Sequence, residues 1–446
     1  MKLVAVIGLF AGLIGRGDAH AQRTFIRVNE VGYLPGSPKV AVACSLDSTR
    51  IVTFTVQDSE GRVVFGPHQT KSTGSFAACA STHRLDFSRL EKPGRYTIVA
   101  GGAASPPVRV GRNVYNGAAD TLLVYMRQQR SGFNTVVKDS IHRSDGRIVG
   151  HPSRDGEFIN MSGGWADASD YLQYVTTSAN ATFVMLMAYR DNPRAFGDRF
   201  DARGLPGAND VPDVLDEASH GLDWLLRMYP GGEDMFNQLA DDRDHTYFDV
   251  PWQDSSDYGW GKGRDRPVYP CTGKPQGLFS AKNRSTGMAS TAGKYASAFA
   301  IAASVFKDSD PAFAGVLRQR ALAAYRLGQR HPGVCQTAPA KSPYFYEEDN
   351  WHDDMELGAA SLAAATGDRA FINDALRFAS SEPVTPWMGQ DTAKHYQWYP
   401  WHNNGHFEVW RRGSKLEKAR MASYYRKGIE AVVARSGNGF RVGIPF

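Results

Sequence analysis

The hydrophobic pattern of this chain changes period once, near residue 112, and that change divides it into two parts that must fold differently. Before it, Thr24 to Val28, Lys39 to Cys44, Ile51 to Gln57, Arg62 to Phe65, Arg84 to Phe87 and Arg95 to Val99 are short runs, most of them rich in β-branched or aromatic residues. Pro-Gly-Ser, Ser-Glu-Gly and Lys-Pro-Gly turns punctuate them, which predicts a small all-β sandwich over residues 23–111. After it, Gly117 to Arg130, Asp170 to Tyr189, Val211 to Met228, Thr286 to Phe306, Pro311 to Gly328, Met355 to Ala365 and Asp368 to Ser380 carry apolar residues at helical spacing. Strand patterns are nearly absent there, so residues 113–446 are expected to form an all-α module. At 446 residues, 42% hydrophobic, the chain is long enough for one small core and one large one.

The segment richest in chemistry is Gly163-Gly164-Trp165-Ala166-Asp167-Ala168-Ser169-Asp170-Tyr171. A spacing of three predicts Asp167 and Asp170 on one face of a helical turn, with glycines upstream that let the backbone bend into a cleft. At a helix start the dipole and free N–H groups keep a carboxylate ionised, which suits it to take a proton from water. The same residues also suit a plain helix cap, with Asp167 as N-cap and Asp170 three positions later.

Other segments decide between the two. Asn209-Asp210-Val211-Pro212-Asp213-Val214-Leu215-Asp216-Glu217-Ala218, Asn350 to Ala360 and Val28-Asn29-Glu30-Val31-Gly32-Tyr33-Leu34-Pro35 join the first motif in resembling glycoside hydrolase family 9, the cellulase family, with the immunoglobulin-like domain that precedes many of its catalytic modules. The resemblance covers nearly all of the chain after its leader. It implies a multidomain protein, an immunoglobulin-like β-sandwich followed by an (α/α)6 toroid whose loops form a sugar cleft. It further implies inverting hydrolysis of β-1,4 bonds in cellulose or a related polysaccharide.

Carried over position by position, the resemblance makes Asp170 the general base and Asp167 the residue that holds the same water. Ser169 departs from the family's usual glycine. Trp165 and Tyr171 are candidates for bordering the sugar subsites, with buried structural aromatics as the equal alternative. Trp351, after the Glu347-Glu348-Asp349 run, and Trp398, within Tyr396 to His402, are further candidates for lining the cleft and binding substrate. The family's proton donor is a glutamate in an Asn-Glu segment near the end of the module, and the stretch up to Phe446 contains none. The expectation is therefore a module incomplete at its C-terminal side, and the alternative to a hydrolase is an impaired glycan-binding or vestigial protein.

The remaining features concern export, ions and partners. Met1-Lys2, the apolar run Leu3 to Ile14 and Ala19-His20-Ala21 predict a signal peptide over residues 1–21, hence a secreted or periplasmic protein. Cys44 and Cys79 fall in the first part and Cys271 and Cys335 in the second, so pairing within each part is the simplest of three connectivities. The family's structural zinc site has cysteines where this chain has Ser131 and Ser140-Ile141-His142, so zinc is not expected. Asp241-Asp242-Arg243-Asp244-His245 offers oxygens to a structural calcium but matches no specific calcium loop, and a solvated surface turn is the preferred expectation. Asp213, Asp216 and Glu217 are expected to be helix-start charges, and no cofactor is required. The net charge of +5 includes no long basic run, and no nucleic-acid motif or membrane span is present, so neither partner is expected; the resemblance implies a β-glucan substrate, and a monomer is expected.

Overall fold

The computed structural model describes residues 23–168, 170–246, 250–341, 346–385 and 404–443. It divides into two compact units, residues 1–114 with 437–442, and residues 115–436 with 443–446. The boundary lies at the change of period.

The first unit is a pair of antiparallel sheets. One holds β1 (Thr24–Arg27), β2 (Val40–Ser45), β5 (Lys71–Phe76) and β6 (Cys79–Asp86) in the order β1-β2-β6-β5. The other holds β3 (Thr53–Gln57), β4 (Val63–Gln69), β7 (Gly94–Ala100) and β8 (Ala103–Ala104) in the order β4-β3-β7-β8, with β9 (Val108–Val110) also on β7. Alternate side chains point inward, as a half-buried strand requires. Phe54 and Val56 on β3, Tyr96 and Ile98 on β7, and Val108 and Val110 on β9 meet Ile26, Ala41, Leu85 and Phe87 in one core. Each such large side chain contributes about 1.5–3 kcal/mol by leaving water. A disulfide joins Cys44 on β2 to Cys79 on β6.

The second unit is mainly helical: α1 (Ala118–Gln129), α2 (Val175–Asp191), α3 (Asp213–Met228), α4 (Ala289–Phe306), α5 (Pro311–Arg330), α6 (His352–Thr366), α7 (Ala370–Ser381), α8 (Asn404–Arg412) and α9 (Lys415–Arg435). Helix α4 is buried almost from end to end and is rich in alanine and serine, which lets α2, α5 and α6 approach it closely. Asp310 caps α5 by accepting from the Phe313 N–H, with Pro311 in its first turn. Ser414 and Glu417 form a reciprocal capping box on α9. Helices α8 and α9 lie within the part expected to be all-α, beyond the last individually marked helical run, which ends at Ser380. A second disulfide, Cys271–Cys335, ties the segment after β15 to the one after α5.

The expectation of a nearly strand-free module is corrected. A hairpin of β10 (Gly132–Asn134) and β11 (Asp139–Ile141) accompanies a four-stranded sheet of β12 (Asp145–Ile148), β13 (Gln173–Tyr174), β14 (Phe236–Leu239) and β15 (Arg266–Pro270), ordered β12-β15-β14-β13. These strands are two to five residues long, and β13, β14 and β15 are buried along their whole length, so no alternation marks them in the sequence. Arg266 is buried in β15 because Asp145 takes both ends of its guanidinium, at 2.8 and 2.7 Å. Among the described residues no helix is long and apolar enough to cross a membrane.

Candidate active site

Among its described residues, the motif from Gly163 to Tyr171 shows no helical turn and forms a loop that leads to β13 and then α2. Its carbonyls find side-chain partners instead of helical ones. Trp224 Nε1 donates to Met161 O at 3.1 Å, Arg227 to Ser162 O at 2.7 Å, Gln173 to Gly163 O at 2.7 Å and His220 Nε2 to Gly164 O at 2.9 Å. Four consecutive carbonyls are thereby satisfied without helix or sheet, which is what permits the loop to be buried. Gly164 is required here: its φ is +73°, and a Cβ would lie 2.7 Å from the Trp224 ring.

Leu172 closes the loop. The Asp167 N–H donates to Leu172 O at 2.8 Å, and the Leu172 N–H donates to Asp170 Oδ1 at 3.2 Å. The Asp167 main chain and the Asp170 carboxylate are thus both tied to the backbone of Leu172. Tyr346 OH donates to Asp167 Oδ2 at 2.8 Å, while Oδ1 is buried with no hydrogen-bond partner. His245 Nε2 donates to Asp170 Oδ2 at 3.1 Å. The next residue back, Asp244, accepts the Tyr171 N–H at 3.0 Å through Oδ2, and its Oδ1 is also buried without a partner.

Burial sets the electrostatics, in the direction opposite to a helix start. It pushes Asp167 up to about 6, with the Asp170 charge adding to the rise and the Tyr346 hydroxyl opposing it. Asp170 is raised by burial and pulled back by His245. Asp244 is pushed up to about 8 by burial and by Asp170. Of the three, Asp170 has a histidine on its carboxyl group, which favours its ionised form.

Two cavities flank the loop. One of about 450 Å³ is lined by Trp165, Asp167 and Tyr346 together with Gln129 and Asn180. Another of about 190 Å³ is lined by Asp170, Tyr171, Ser131 and His142. Gln129 and Ala166 border both cavities.

The other sequence-stated candidates fall unevenly. Trp165 is only 3% exposed, with Nε1 donating to Glu217 Oε1 at 2.8 Å. Its ring lies so close to α3 that a Cβ on Gly221 would stand 2.2 Å from it. Tyr171 is 6% exposed and its ring tilts against His142 at 5.3 Å. Trp351 is half-buried, stacked on His352 at 4.2 Å and edge-on to Phe378 at 5.8 Å. Trp398 and Ser169 lie outside the described residues.

Three expectations are corrected. Asp241, Asp242 and Asp244 do not form a solvated turn but are buried against the site. Asp241 receives Arg243 and Tyr269, and Asp242 the N–H groups of Ala340 and Lys341. The Asp241 and Asp242 oxygens are taken by protein donors, leaving only Asp244 Oδ1 without one, which is too few for a calcium loop. Glu217 is no exposed helix-start charge: it is wholly buried, receiving Arg130 at 2.8 and 3.0 Å as well as Trp165. Asp213 and Asp216 do stand in the first turn of α3, as expected, with Asp213 buried and Arg127 3.3 Å away. Glu348, expected along the cleft, turns inward to the buried Lys294 at 2.6 Å.

Where zinc ligands were compared, Ser131 Oγ and His142 Nδ1 do meet, at 3.3 Å, and His142 Nε2 meets Asp254 at 3.2 Å. A single imidazole with both nitrogens engaged and no thiolate does not fit a structural zinc. Tyr346 and His220 were missed as site residues, and Asp244 and His245 were noted only as parts of an acidic turn.

Both parts of the chain match known protein families. The family model described as "Glycosyl hydrolase family 9" matches residues 115–440, and "Cellulase N-terminal ig-like domain" matches residues 21–105. Endoglucanase C of Cellulomonas fimi is 29% identical over 377 residues, which cover 78% of this chain and 32% of that protein. The xyloglucan-specific endo-beta-1,4-glucanase BoGH9A of Bacteroides ovatus is 25% identical over 428 residues, 88% of this chain and 67% of the relative. A crystal structure of a metagenome-derived glycoside hydrolase family 9 endoglucanase superimposes with a TM-score of 0.74 at 26% identity, covering 94% of this chain and 75% of the other. The chain therefore spans about a third of the length of the first of these relatives and two thirds of the second.

Proposed function

This chain belongs to glycosyl hydrolase family 9, with an immunoglobulin-like domain before the helical one, and from that membership we propose that it hydrolyses β-1,4 bonds of a glucan or related polysaccharide with inversion at the anomeric carbon. In this reading Asp170 is the general base and Asp167 orients the same water. The observation that carries it is the pairing of Asp170 with His245 and of Asp167 with Tyr346, in a loop where the Asp167 N–H and the Asp170 carboxylate both meet the backbone of Leu172. A water between the aspartates loses its proton to Asp170 as its oxygen bonds to the anomeric carbon. The His245 N–H holds Asp170 Oδ2 in place before the transfer. The leaving oxygen takes its proton from a separate carboxylic acid, as inversion requires.

The helical unit is proposed to be an (α/α)6 toroid, supported by the near-complete burial of α4 beside the one-sided burial of α5 and α7. An exported location is proposed from the leader together with two disulfides, which persist in oxidising compartments. The substrate class is supported by relatives whose names state endoglucanase and xyloglucan-specific endo-beta-1,4-glucanase activity.

The test is hydrolysis of soluble β-1,4-glucan and xyloglucan by wild type and Asp170→Asn, with the anomer formed first read by NMR. Loss of about 10²–10⁴ in rate and an initial α-anomer are expected. A β-anomer, or unchanged hydrolysis in the variant, overturns the assignment.

A further inference from the structure

Glu217, His220, Trp224 and Arg227 recur at intervals of three and four and so lie along one stripe of α3. Each meets the site loop, and the order is reversed: Arg227 and Trp224 hold Ser162 and Met161, His220 holds Gly164, and Glu217 holds Trp165. Helix and loop run antiparallel, joined through polar side-chain atoms.

The end of α1 grips the loop from another side. The Ser131 N–H donates to Gly164 O at 2.8 Å, so that carbonyl accepts from two donors, and the Ala166 N–H donates to Gln129 O at 2.8 Å. Asp167 follows directly, three residues after the carbonyl that His220 holds. Without His220, Gly164 keeps its backbone bond to Ser131 but loses its own tie to α3, while Trp165 stays bonded to Glu217.

We propose that His220 and Glu217 are positioning residues that set how deeply Asp167 is buried. The proposal rests on the reading that the 167–170 loop holds the reacting water.

The chemistry of both residues suits a fixed support. A carbonyl cannot donate, so His220 carries its hydrogen on Nε2. Burial, with the Arg130 charge second, pushes the imidazole down to about 4 and keeps it neutral over the working range of an extracellular enzyme. Glu217 is committed to Arg130 and Trp165 and has Arg127 at 3.8 Å, so the acceptor under the indole is locked in place.

The experiment is a titration of the Asp167 carboxyl by carbon-13 NMR in protein labelled at aspartate, assigned with Asp167→Asn. It compares wild type with His220→Leu, which removes the donor, and His220→Gln, which restores an N–H. In His220→Leu the Asp167 midpoint is expected to fall by about one pH unit as the loop rises toward water, and in His220→Gln to return to the wild-type value. With substrate, His220→Leu lowers kcat about tenfold or more with KM within about twofold, because the loop is misplaced and not lost. An unmoved midpoint in folded His220→Leu, or equal shifts in both variants, overturns the proposal. If His220→Leu fails to fold, His220→Phe keeps a ring without the donor and is judged by the same criterion. The titration needs no turnover, so its failure leaves Asp170 as base intact, and failure of the Asp170→Asn test leaves the titration result intact.

Discussion

His245 Nε2 and Asp170 Oδ2 stand 3.1 Å apart, although 75 residues separate them in the chain. The contact opposes the effect of burial on Asp170 by favouring its ionised form. Replacing His245 with Leu removes that support, so the Asp170 carboxyl rises further and the acid limb of kcat/KM moves to higher pH, by about one unit. A pH–rate profile of the variant measures it. A limb that stays in place would show that Asp170 does not govern the profile.

Asp167 titrates near 6 because burial outweighs the Tyr346 hydrogen bond. A step that needs the ionised pair therefore gains rate as pH rises through about 6 and loses about tenfold per unit below it. Tyr346→Phe deletes the bond that favours the carboxylate, so the midpoint should rise further. The loss of one neutral donor should cost only about 1 kcal/mol in stability. Titration curves and urea melts of this variant separate the two effects.

Asp244 should limit stability at neutral pH. Its folded-state value of about 8 lies above the unfolded 3.8, so its contribution is fully present below 3.8 and is lost as pH rises through about 8. Asp244→Asn keeps an acceptor for the Tyr171 N–H and cannot ionise. The variant is expected to gain roughly 1–5 kcal/mol over wild type at pH 8, with the gap closing toward pH 4. Urea denaturation at both pH values checks it, and a gap independent of pH would refute the burial argument.

Gly221→Ala places a methyl 2.2 Å from the Trp165 ring, which α3 and the Glu217 contact leave little room to move. Destabilisation of about 3 kcal/mol is expected, along with loss of hydrolysis. Differential scanning calorimetry reads the first and reducing-end release the second. Gly315→Ala, on the same unit with open space around its Cβ, serves as the control.

Much of the architecture was legible because it is periodic. The apolar spacing marked α2 to α7 to within a few residues at most ends, and the turn-punctuated runs marked the sandwich, because local propensity and burial agree there. Helix α9 carried a readable Ser-Lys-Leu-Glu start at Ser414, yet its body is polar enough to hide the period. The short strands β12 to β15 had no legible pattern, since their pairing partners lie far along the chain.

The site was legible as residue types and not as geometry. The sequence alone determined that two aspartates three apart would share a glycine-preceded segment, and that cysteines fell in pairs on either side of the change in period. Only the tertiary structure decided that this segment is a loop closed on Leu172, held by Trp224, Arg227 and His220, with Tyr346 and His245 as the aspartates' partners. It also reversed the expected electrostatics, from carboxylates favoured by a helix dipole to carboxyls raised by burial. The physical reason is that propensity and spacing act over a few residues, whereas desolvation and hydrogen bonding across 75 or 179 positions exist only once the chain has packed.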